Sequence, residues 1–344
     1  MILEYRIAQC WGFNGFGELG DGTNTRTLVP KTVRNLNEVV SIGIGYHHTC
    51  AIVMSGIVKC WGSDDYGQVG DNRLSNNQFS PVSVVGLPRK AIQIALSLYN
   101  TCALLSDGSV YIWGNVAGFR EGGTKPLQTT AFRLPLLSNV IYIRGGMTHY
   151  CVILKTGALQ CFGNNIFGQL GDNTTSSSTH PVDVYGLSSG VIDVAPGDTF
   201  TCALLDTHRV KCWGDNTLGQ LGDGTTTTRL APTDVTGLSN VTAIGAGAGH
   251  VCVLLSGGIV QCWGDNSNGQ LGTGSTISSN TSEIVPGLSN VKILQVGSQG
   301  NCVLLMNNAV KCWGYNNDGE VGGGPDFSSY DIPVPTTVIG YPGN

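Results

Sequence analysis

A short motif, Cys-Trp-Gly or a near copy of it, recurs seven times along the chain at an almost constant interval. The copies begin at residues 10, 60, 112, 161, 212, 262 and 312, so the intervals are 50, 52, 49, 51, 50 and 50 residues. All six tryptophans of the 344-residue chain lie in this motif. Such regular spacing predicts a repeat architecture in which each unit packs against its neighbours.

Each unit predicts about four short strands. The best-preserved copy begins at Cys212 and reads CWGDNTLGQLGDGTTTTRLAPTDVTGLSNVTAIGAGAGHVCVLLSGGIVQ. Short apolar runs alternate there with turns rich in Gly, Asn and Ser, and no segment has a sustained 3.6-residue apolar period. The composition agrees, because 50 residues are Gly and only 12% are charged, whereas helices need charged residues on their solvated faces. Four-stranded units of about 50 residues are typical of β-propeller blades.

The two ends of the chain predict how the ring closes. Seven Cys-Trp-Gly strands are present, but only six of the preceding strands of the Gly-x-x-His-Thr-Cys kind. Aligning MILEYRIAQC with residues 152–161 places Met1 one residue after a missing Cys, and residues 315–344 supply a loop and one further strand. We therefore expect an all-β, seven-bladed propeller, a single domain over residues 1–344, in which the N- and C-terminal segments share one blade.

The repeat resembles that of a known family. The pattern CWGxNxxGQLGDGT, followed by Gly-x-x-His-Thr-Cys-Ala-Leu, is similar to the repeat of the regulator of chromosome condensation family, and the similarity covers essentially the whole chain. The resemblance implies a seven-bladed propeller, and the cysteine-containing repeats are most similar to those of secreted bacterial members. It does not specify a function, because relatives include an exchange factor for the GTPase Ran, a β-lactamase inhibitor and an ultraviolet-B receptor.

Ten of the twelve cysteines form five pairs spaced ten residues apart. In a hairpin with its turn at residues 206–208, Cys202 lies opposite Cys212, and opposed Cα atoms in antiparallel strands are about 4.5–5.5 Å apart. That separation suits a disulfide and would indicate an oxidising compartment. Alternatively these side chains are small buried hydrophobes, a reading favoured by Cys102, which faces Ile112. The predicted pairs are Cys50–Cys60, Cys151–Cys161, Cys202–Cys212, Cys252–Cys262 and Cys302–Cys312.

No catalytic, metal or cofactor site is predicted. His48, His149 and His250 precede the strand cysteines, where they could group around a metal or bond to local backbone, and Asn, Phe and Gly replace them in other units. The recurrent loop Asp, as in Gly-Asp-Gly, favours turns and repeats too often to be a unique catalytic group. A net charge of −5 with no evident basic face predicts no nucleic-acid partner, and the absence of an apolar run of about 18 residues predicts no membrane insertion.

The third unit departs from the others. Its loop reads NVAGFREGGTKPLQTTAFRLP, without Gly-Gln-Leu-Gly-Asp-Gly-Thr, and the unit also lacks its second Cys. Arg and aromatic residues are enriched at binding hot spots. Either this unit has drifted or it contains the partner-binding surface, for which the predicted residues are Phe119, Arg120, Lys125, Phe132 and Arg133.

These observations favour a non-enzymatic propeller that binds a protein or a glycan, extracellular or in the cell envelope. One alternative is a secreted effector that acts in a host cytosol as an exchange factor on a small Ran-type GTPase. The intervals of 49–52 residues leave no room for the inserted β-element of such exchange factors. The other alternative is a protein that inhibits an enzyme. The oligomeric state is not predicted.

Overall fold

The computed structural model describes residues 1–3, 5–74, 76–116, 127–324 and 330–340, which form strands and turns and contain no helix. The first two strands, β1 (Gln9–Gly12) and β2 (Thr27–Thr32), form a two-stranded sheet. The remaining strands form six four-stranded antiparallel sheets, each built from four consecutive strands.

The first three of these sheets cover the chain from Val39 to Asp183. Their strands are β3 (Val39–Ile44), β4 (His48–Val53), β5 (Val58–Gly62), β6 (Gln78–Ser83), β7 (Ala91–Leu96), β8 (Asn100–Leu105), β9 (Val110–Asn115), β10 (Leu127–Arg133), β11 (Val140–Gly145), β12 (His149–Leu154), β13 (Leu159–Gly163) and β14 (Ser178–Asp183).

The last three sheets cover the chain from Val191 to Thr337. Their strands are β15 (Val191–Pro196), β16 (Phe200–Leu205), β17 (Val210–Gly214), β18 (Arg229–Asp234), β19 (Val241–Ala246), β20 (His250–Leu255), β21 (Ile259–Gly264), β22 (Ser279–Ile284), β23 (Val291–Val296), β24 (Gly300–Leu305), β25 (Val310–Gly314) and β26 (Ile332–Thr337). Contacts between successive first strands, β3 with β7 through β19 with β23, arrange the sheets as the blades of an all-β propeller.

The expectation of seven four-stranded blades with a shared closing blade is wrong. Six sheets have four strands, whereas the first Cys-Trp-Gly strand, β1, pairs with β2 alone among the described strands, and a short bridge between Ile2 and Ala8 precedes it. The C-terminal strand β26 pairs with β25 of its own unit, with Lys311 opposite Thr337. The physical reason is chain connectivity, because β26 follows β25 directly along the chain, as the fourth strand follows the third in every other four-stranded sheet.

Neighbouring blades are joined by a repeated seat for the motif Trp. The indole Nε1 of Trp263 donates to the carbonyl oxygen of Gln220 in the loop of the preceding blade, at 3.0 Å. The glycine two residues later in that loop, Gly222, has φ of +64°, and a Cβ added there would lie 2.7 Å from the Trp263 Nε1 atom. The same bond recurs from Trp61 to Glu18, Trp113 to Gln68, Trp213 to Gln169 and Trp313 to Gln270, and from Trp11 to Glu320, where the two ends of the chain meet.

The three motif histidines are fully buried and connect blades. His149 Nε2 lies 2.7 Å from the hydroxyl of Thr201, which donates in turn to the carbonyl oxygen of Gln169 at 2.8 Å. Because the Thr201 proton goes to that carbonyl, the imidazole must donate through Nε2, which leaves a bare, buried Nδ1 without a hydrogen-bond partner. Burial lowers the pKa of His149 to about 3, and that of His48 likewise to about 3. Burial also lowers the pKa of His250, whose Nε2 contacts Asn301.

The predicted cysteine register is present in the second and third strands of five blades. Each pair is directly opposed, as Cys202 is to Cys212, with Cα atoms 4.0–4.1 Å apart and sulfurs at bonding distance. Cys10 and Cys102 are unpaired; Cys102 is opposite Ile112, and burial raises its thiol pKa. Both unpaired cysteines therefore follow from a missing partner in the register.

The interface between the third and fourth units differs from the others. Phe162 occupies the motif position of the fourth unit. Its side chain has no N–H to donate, and its ring stacks on Tyr150 with centroids 5.6 Å apart. The Tyr150 hydroxyl donates to Asn100 of the preceding blade. The third unit, which lacks Gly-Gln-Leu-Gly in its loop, thus faces a blade whose motif ring needs no carbonyl acceptor.

The Trp seat predicts a specific glycine requirement. Gly222→Ala would place a methyl group against the Trp263 indole, whereas Gly237→Ala, at φ +73°, meets no atom within 4 Å. We expect Gly237→Ala to cost about 1–2 kcal/mol of unfolding free energy from its left-handed backbone. Gly222→Ala should cost about 1–3 kcal/mol more from overpacking. Urea denaturation measures both losses of unfolding free energy. Equal losses in the two variants would contradict a tight contact between Gly222 and the Trp263 indole.

The buried histidines predict that stability falls as the pH drops below about 6.5. The unfolded chain binds protons at His48 and His149 near pH 6.5, whereas the folded chain does so only near pH 3, so stability present above pH 6.5 is lost on acidification. Each such histidine contributes about 1.4 kcal/mol per pH unit, or about 2 kcal/mol between pH 6.5 and 5. His149→Asn should reduce the loss of unfolding free energy between pH 6.5 and 5 by about 2 kcal/mol. An unchanged pH dependence of the unfolding free energy would show that the pKa of His149 is not lowered in the folded chain.

The cysteine geometry predicts a thiol count. Titration in denaturant without reductant should detect about two free thiols among the twelve cysteines, Cys10 and Cys102. A count near twelve would show that the five pairs are reduced in the native protein.

Candidate functional site

One end of the blades carries two sets of loops. The chain runs up and down in each antiparallel sheet, so the connections from first to second strand and from third to fourth strand lie at the same end. We call this end the loop face. Its inner connections bond to one another around the ring: Leu98 N donates to Met147 O, Met147 N to Gly197 O, Asp198 N to Ala248 O and Ala248 N to Ser298 O.

A group of aromatic side chains occupies one side of the loop face. Phe13 and Phe16 come from the β1–β2 connection, and Tyr46 and His47 from the β3–β4 connection. The His47 ring centroid lies 4.1 Å from that of Tyr46, 4.5 Å from Phe16 and 5.9 Å from Phe13. Phe13 and Tyr46 remain 39% and 53% exposed. These four rings thus form one solvent-accessible cluster.

A carboxylate anchors this cluster. Glu18 Oε1 lies 3.1 Å from His47 Nδ1, and Glu18 Oε2 accepts a bond from the Phe16 N–H at 2.9 Å. The backbone carbonyl of Glu18 is also the seat of Trp61, so the aromatic cluster is connected directly to the blade interface. Burial raises the pKa of the Glu18 carboxyl, and the contact with His47 opposes that shift.

The next positions around the ring are also aromatic. Tyr66, equivalent to Phe16, and Tyr99, equivalent to His47, have ring centroids 4.5 Å apart, and both are partly exposed. We call these two ring clusters together the aromatic patch: Phe13, Phe16, Tyr46, His47, Tyr66 and Tyr99. Tyr99 belongs to the sheet β7–β10, whose outer connection contains the divergent residues 117–126.

The opposite side of the loop face is polar at the same positions. Asn268 and Asp318 replace Phe16 in the last two units, and Gly249 and Gln299 replace His47. Blade packing therefore does not require aromatic rings here. The patch is not among the predicted binding residues. The sequence does show a change from aromatic to polar side chains at the sixth residue after the start of each motif, which is Phe, Tyr, Gly, Phe, Leu, Asn and Asp in the order of the units.

The residues predicted to bind a partner are not all at this face. Phe119, Arg120 and Lys125 lie outside the described residues. Phe132 and Arg133 lie near the end of β10, opposite Ile112 and Tyr111, so they are at the end of the sheet away from the loop face. Phe132 also packs against the hydrophobic core between the third and fourth units.

Across the described part of the chain, no three His, Cys, Asp or Glu side chains are grouped to hold a metal ion. Nor do those residues include a helix long and apolar enough to cross a membrane.

The chain is similar in sequence to known proteins. The human protein described as probable E3 ubiquitin-protein ligase HERC6 is 28% identical over 243 residues, which cover 67% of this chain and 24% of HERC6. The Arabidopsis thaliana ultraviolet-B receptor UVR8 is 28% identical over 238 residues, covering 67% of this chain and 54% of UVR8. The chain thus spans about a quarter and about half of the lengths of these two relatives.

A solved structure and a family model agree with this fold. Prp20p of Saccharomyces cerevisiae, a protein with binding properties to Gsp1p and histones, superposes with a TM-score of 0.87 at 23% identity, over 98% of this chain and 87% of Prp20p. The model of the family described as RCC1-like domain matches residues 8–341. Because that match covers nearly the whole chain and the propeller observed here is the fold it implies, the chain belongs to the RCC1-like domain family.

Proposed function

We propose that this propeller is a non-enzymatic binding module that holds a protein partner on its loop face, with the aromatic patch as the main contact. The observation that carries the proposal is the exposure of aromatic rings on one side of a face whose other side is polar at the same repeat positions. Aromatic residues are enriched at the energetic centres of protein interfaces, and a polar surround is typical of the rim.

The proposal also includes the divergent sequence of the third unit, which lies outside the described residues. This sequence connects β9 to β10, two strands of the sheet whose β7–β8 connection contains Tyr99. In the next blade, Phe162 replaces the motif Trp and cannot donate a side-chain hydrogen bond to a carbonyl of the Gly-Gln-Leu-Gly segment. Phe119, Arg120 and Lys125 are therefore proposed as further partner contacts. Similar folds in relatives that bind proteins, such as Prp20p with Gsp1p and histones, support a protein ligand.

The five cysteine pairs support an extracellular or envelope location, because disulfides persist in oxidising compartments. We further propose that residues 1–344 form a single propeller domain.

A triple substitution tests the aromatic patch. Phe13→Ser, Tyr46→Ser and Tyr66→Ser remove exposed rings, so each should change the unfolding free energy by about 0.5 kcal/mol or less. Each should weaken partner binding by about 1–3 kcal/mol if the ring is a hot spot. The matched control is Ile277→Ser, a 77% exposed apolar residue in the β21–β22 connection on the far side of the same face.

The measurement is affinity capture with mass spectrometry, run in parallel with a glycan array. A protein retained by the wild type and by Ile277→Ser but lost by the triple variant is expected. Unchanged protein capture by the triple variant would contradict the proposal, and so would array binding that only the triple variant loses, which would indicate a glycan ligand.

Exchange activity is the second candidate, because the fold resembles that of Prp20p, which binds Gsp1p. Release of fluorescent GDP from a Ran-type GTPase should proceed at its spontaneous rate when the chain is added. Acceleration would instead support an exchange factor.

A further inference from the structure

A bulge leaves one residue outside the ladder near the start of the first strand in each four-stranded sheet. In β7, for example, Ala91 pairs with Leu105 and Gln93 with Leu104, so Ile92 has no partner in the register. The first strand runs towards the loop face, so the bulges lie at the opposite end of the blades, which we call the turn face. The six bulge residues are Val40, Ile92, Ile141, Ile192, Thr242 and Lys292.

Four of the six bulge positions hold branched aliphatic side chains that blade packing does not require. Thr242 and Lys292 occupy the same position in the last two blades and are exposed there, so a polar side chain fits the bulge equally well. The aliphatic side chains are also open to solvent, with exposed fractions of 45% for Val40, 56% for Ile92, 49% for Ile141 and 51% for Ile192. The turn face therefore presents apolar side chains that a ligand, rather than the core, accounts for.

The turns between second and third strands add to this apolar surface. The carbonyl oxygen of Gly56 accepts a bond from the Ala91 N–H, and a Cβ added at Gly56 would lie 2.5 Å from the Lys90 Cβ. The β4–β5 turn thus packs directly beside the start of β7. Met54 and Ile57 of that turn are 55% and 49% exposed, and Lys90 is exposed as well. Apolar and cationic side chains therefore stand side by side on the turn face.

The turn face is cationic although the whole chain is acidic, with 18 Lys and Arg against 23 Asp and Glu. Between β2 and β26, the turn-face connections and the strand ends leading into them hold eleven Lys or Arg and six Asp or Glu among the described residues. The cations are Lys31, Arg34, Lys59, Arg89, Lys90, Arg133, Lys155, Arg209, Lys211, Lys292 and Lys311, and the acids are Glu38, Asp107, Asp183, Asp206, Asp234 and Glu283. These cations are spread along the sequence, and the fold collects them at one end.

We infer that the turn face binds the surface of an anionic phospholipid bilayer. Its charge is complementary to that of such a bilayer, and exposed aliphatic side chains enter the boundary between headgroups and acyl chains. Because the blades are related by rotation about the ring, the bulge residues lie at one height and form a flat surface, as a bilayer requires. None of the six bulge residues is an aromatic ring on which a nucleic-acid base could stack. The turn face is at the opposite end from the aromatic patch, so this inference does not depend on the proposed function.

Vesicle flotation tests the charge of the turn face. The chain should float with vesicles of equimolar phosphatidylcholine and phosphatidylglycerol, but not with phosphatidylcholine alone, and added salt should weaken binding. Lys90→Gln with Lys155→Gln should lower the vesicle affinity about ten- to thirtyfold, since each cation near the surface contributes about fivefold. The matched control, Arg26→Gln with Arg73→Gln, removes the same charge from exposed positions on the loop face and should leave the affinity unchanged.

A second pair of substitutions tests the apolar side chains. Ile92→Thr and Ile141→Thr introduce the residue that Thr242 supplies at the same position, so the fold should tolerate both. Together they should lower the vesicle affinity at least about fivefold, because less apolar surface leaves water on binding. The matched control is Ile277→Thr on the loop face, where the side chain is 77% exposed, and it should bind like the wild type.

Three results would overturn the inference. The first is a wild-type chain that does not float with the anionic vesicles. The second is an equal loss of affinity in the Lys90, Lys155 pair and the Arg26, Arg73 pair. The third is a DNA duplex that binds as tightly as the vesicles while the isoleucine variants keep full vesicle affinity, because that would indicate general attraction of polyanions.

Discussion

The bond from the motif indole to the backbone of the preceding blade is the interaction on which this ring depends. A buried Trp removes about 150–250 Å² from water, equivalent to roughly 4–6 kcal/mol, whereas its hydrogen bond contributes about 0.5–1.5 kcal/mol net. Burial therefore supplies most of the stabilisation, and the bond fixes how the ring lies. A glycine under each indole, such as Gly222 under Trp263, makes the close approach possible. Between Trp11 and Glu320 the same bond joins the first sheet, which has two strands among the described residues, to the last four-stranded sheet.

The interface between the third and fourth units shows the effect of losing this indole–backbone hydrogen bond. Phe162 replaces the indole, and Tyr150 bonds to Asn100 in place of the usual hydroxyl contact. The larger Tyr150 packs in the same core cluster as Cys102 and Ile112, the position where the cysteine pair is absent. The altered interface thus coincides with both the missing cysteine pair and the divergent sequence of the third unit.

The surface proposed for protein binding depends on the backbone of the repeat. The side chains of the aromatic patch project from loops whose backbone conformation is common to the repeats. Glu18 shows this, because its backbone carbonyl accepts the Trp61 indole while its carboxylate contacts His47. The patch therefore suits a folded protein surface.

The sequence determined the repeat, the all-β class and the cysteine register, because these depend on local spacing. Two cysteines ten residues apart, on either side of a short turn, are directly opposed in the hairpin. It also determined that one unit differs from the rest. Only the tertiary structure decided that β26 returns to its own sheet, since both pairings satisfy the same local pattern and the choice depends on which edge lies nearest. The aromatic patch likewise emerged only in three dimensions, because Phe13, Tyr46 and Tyr99 belong to connections of three different sheets and lie on one side of the loop face.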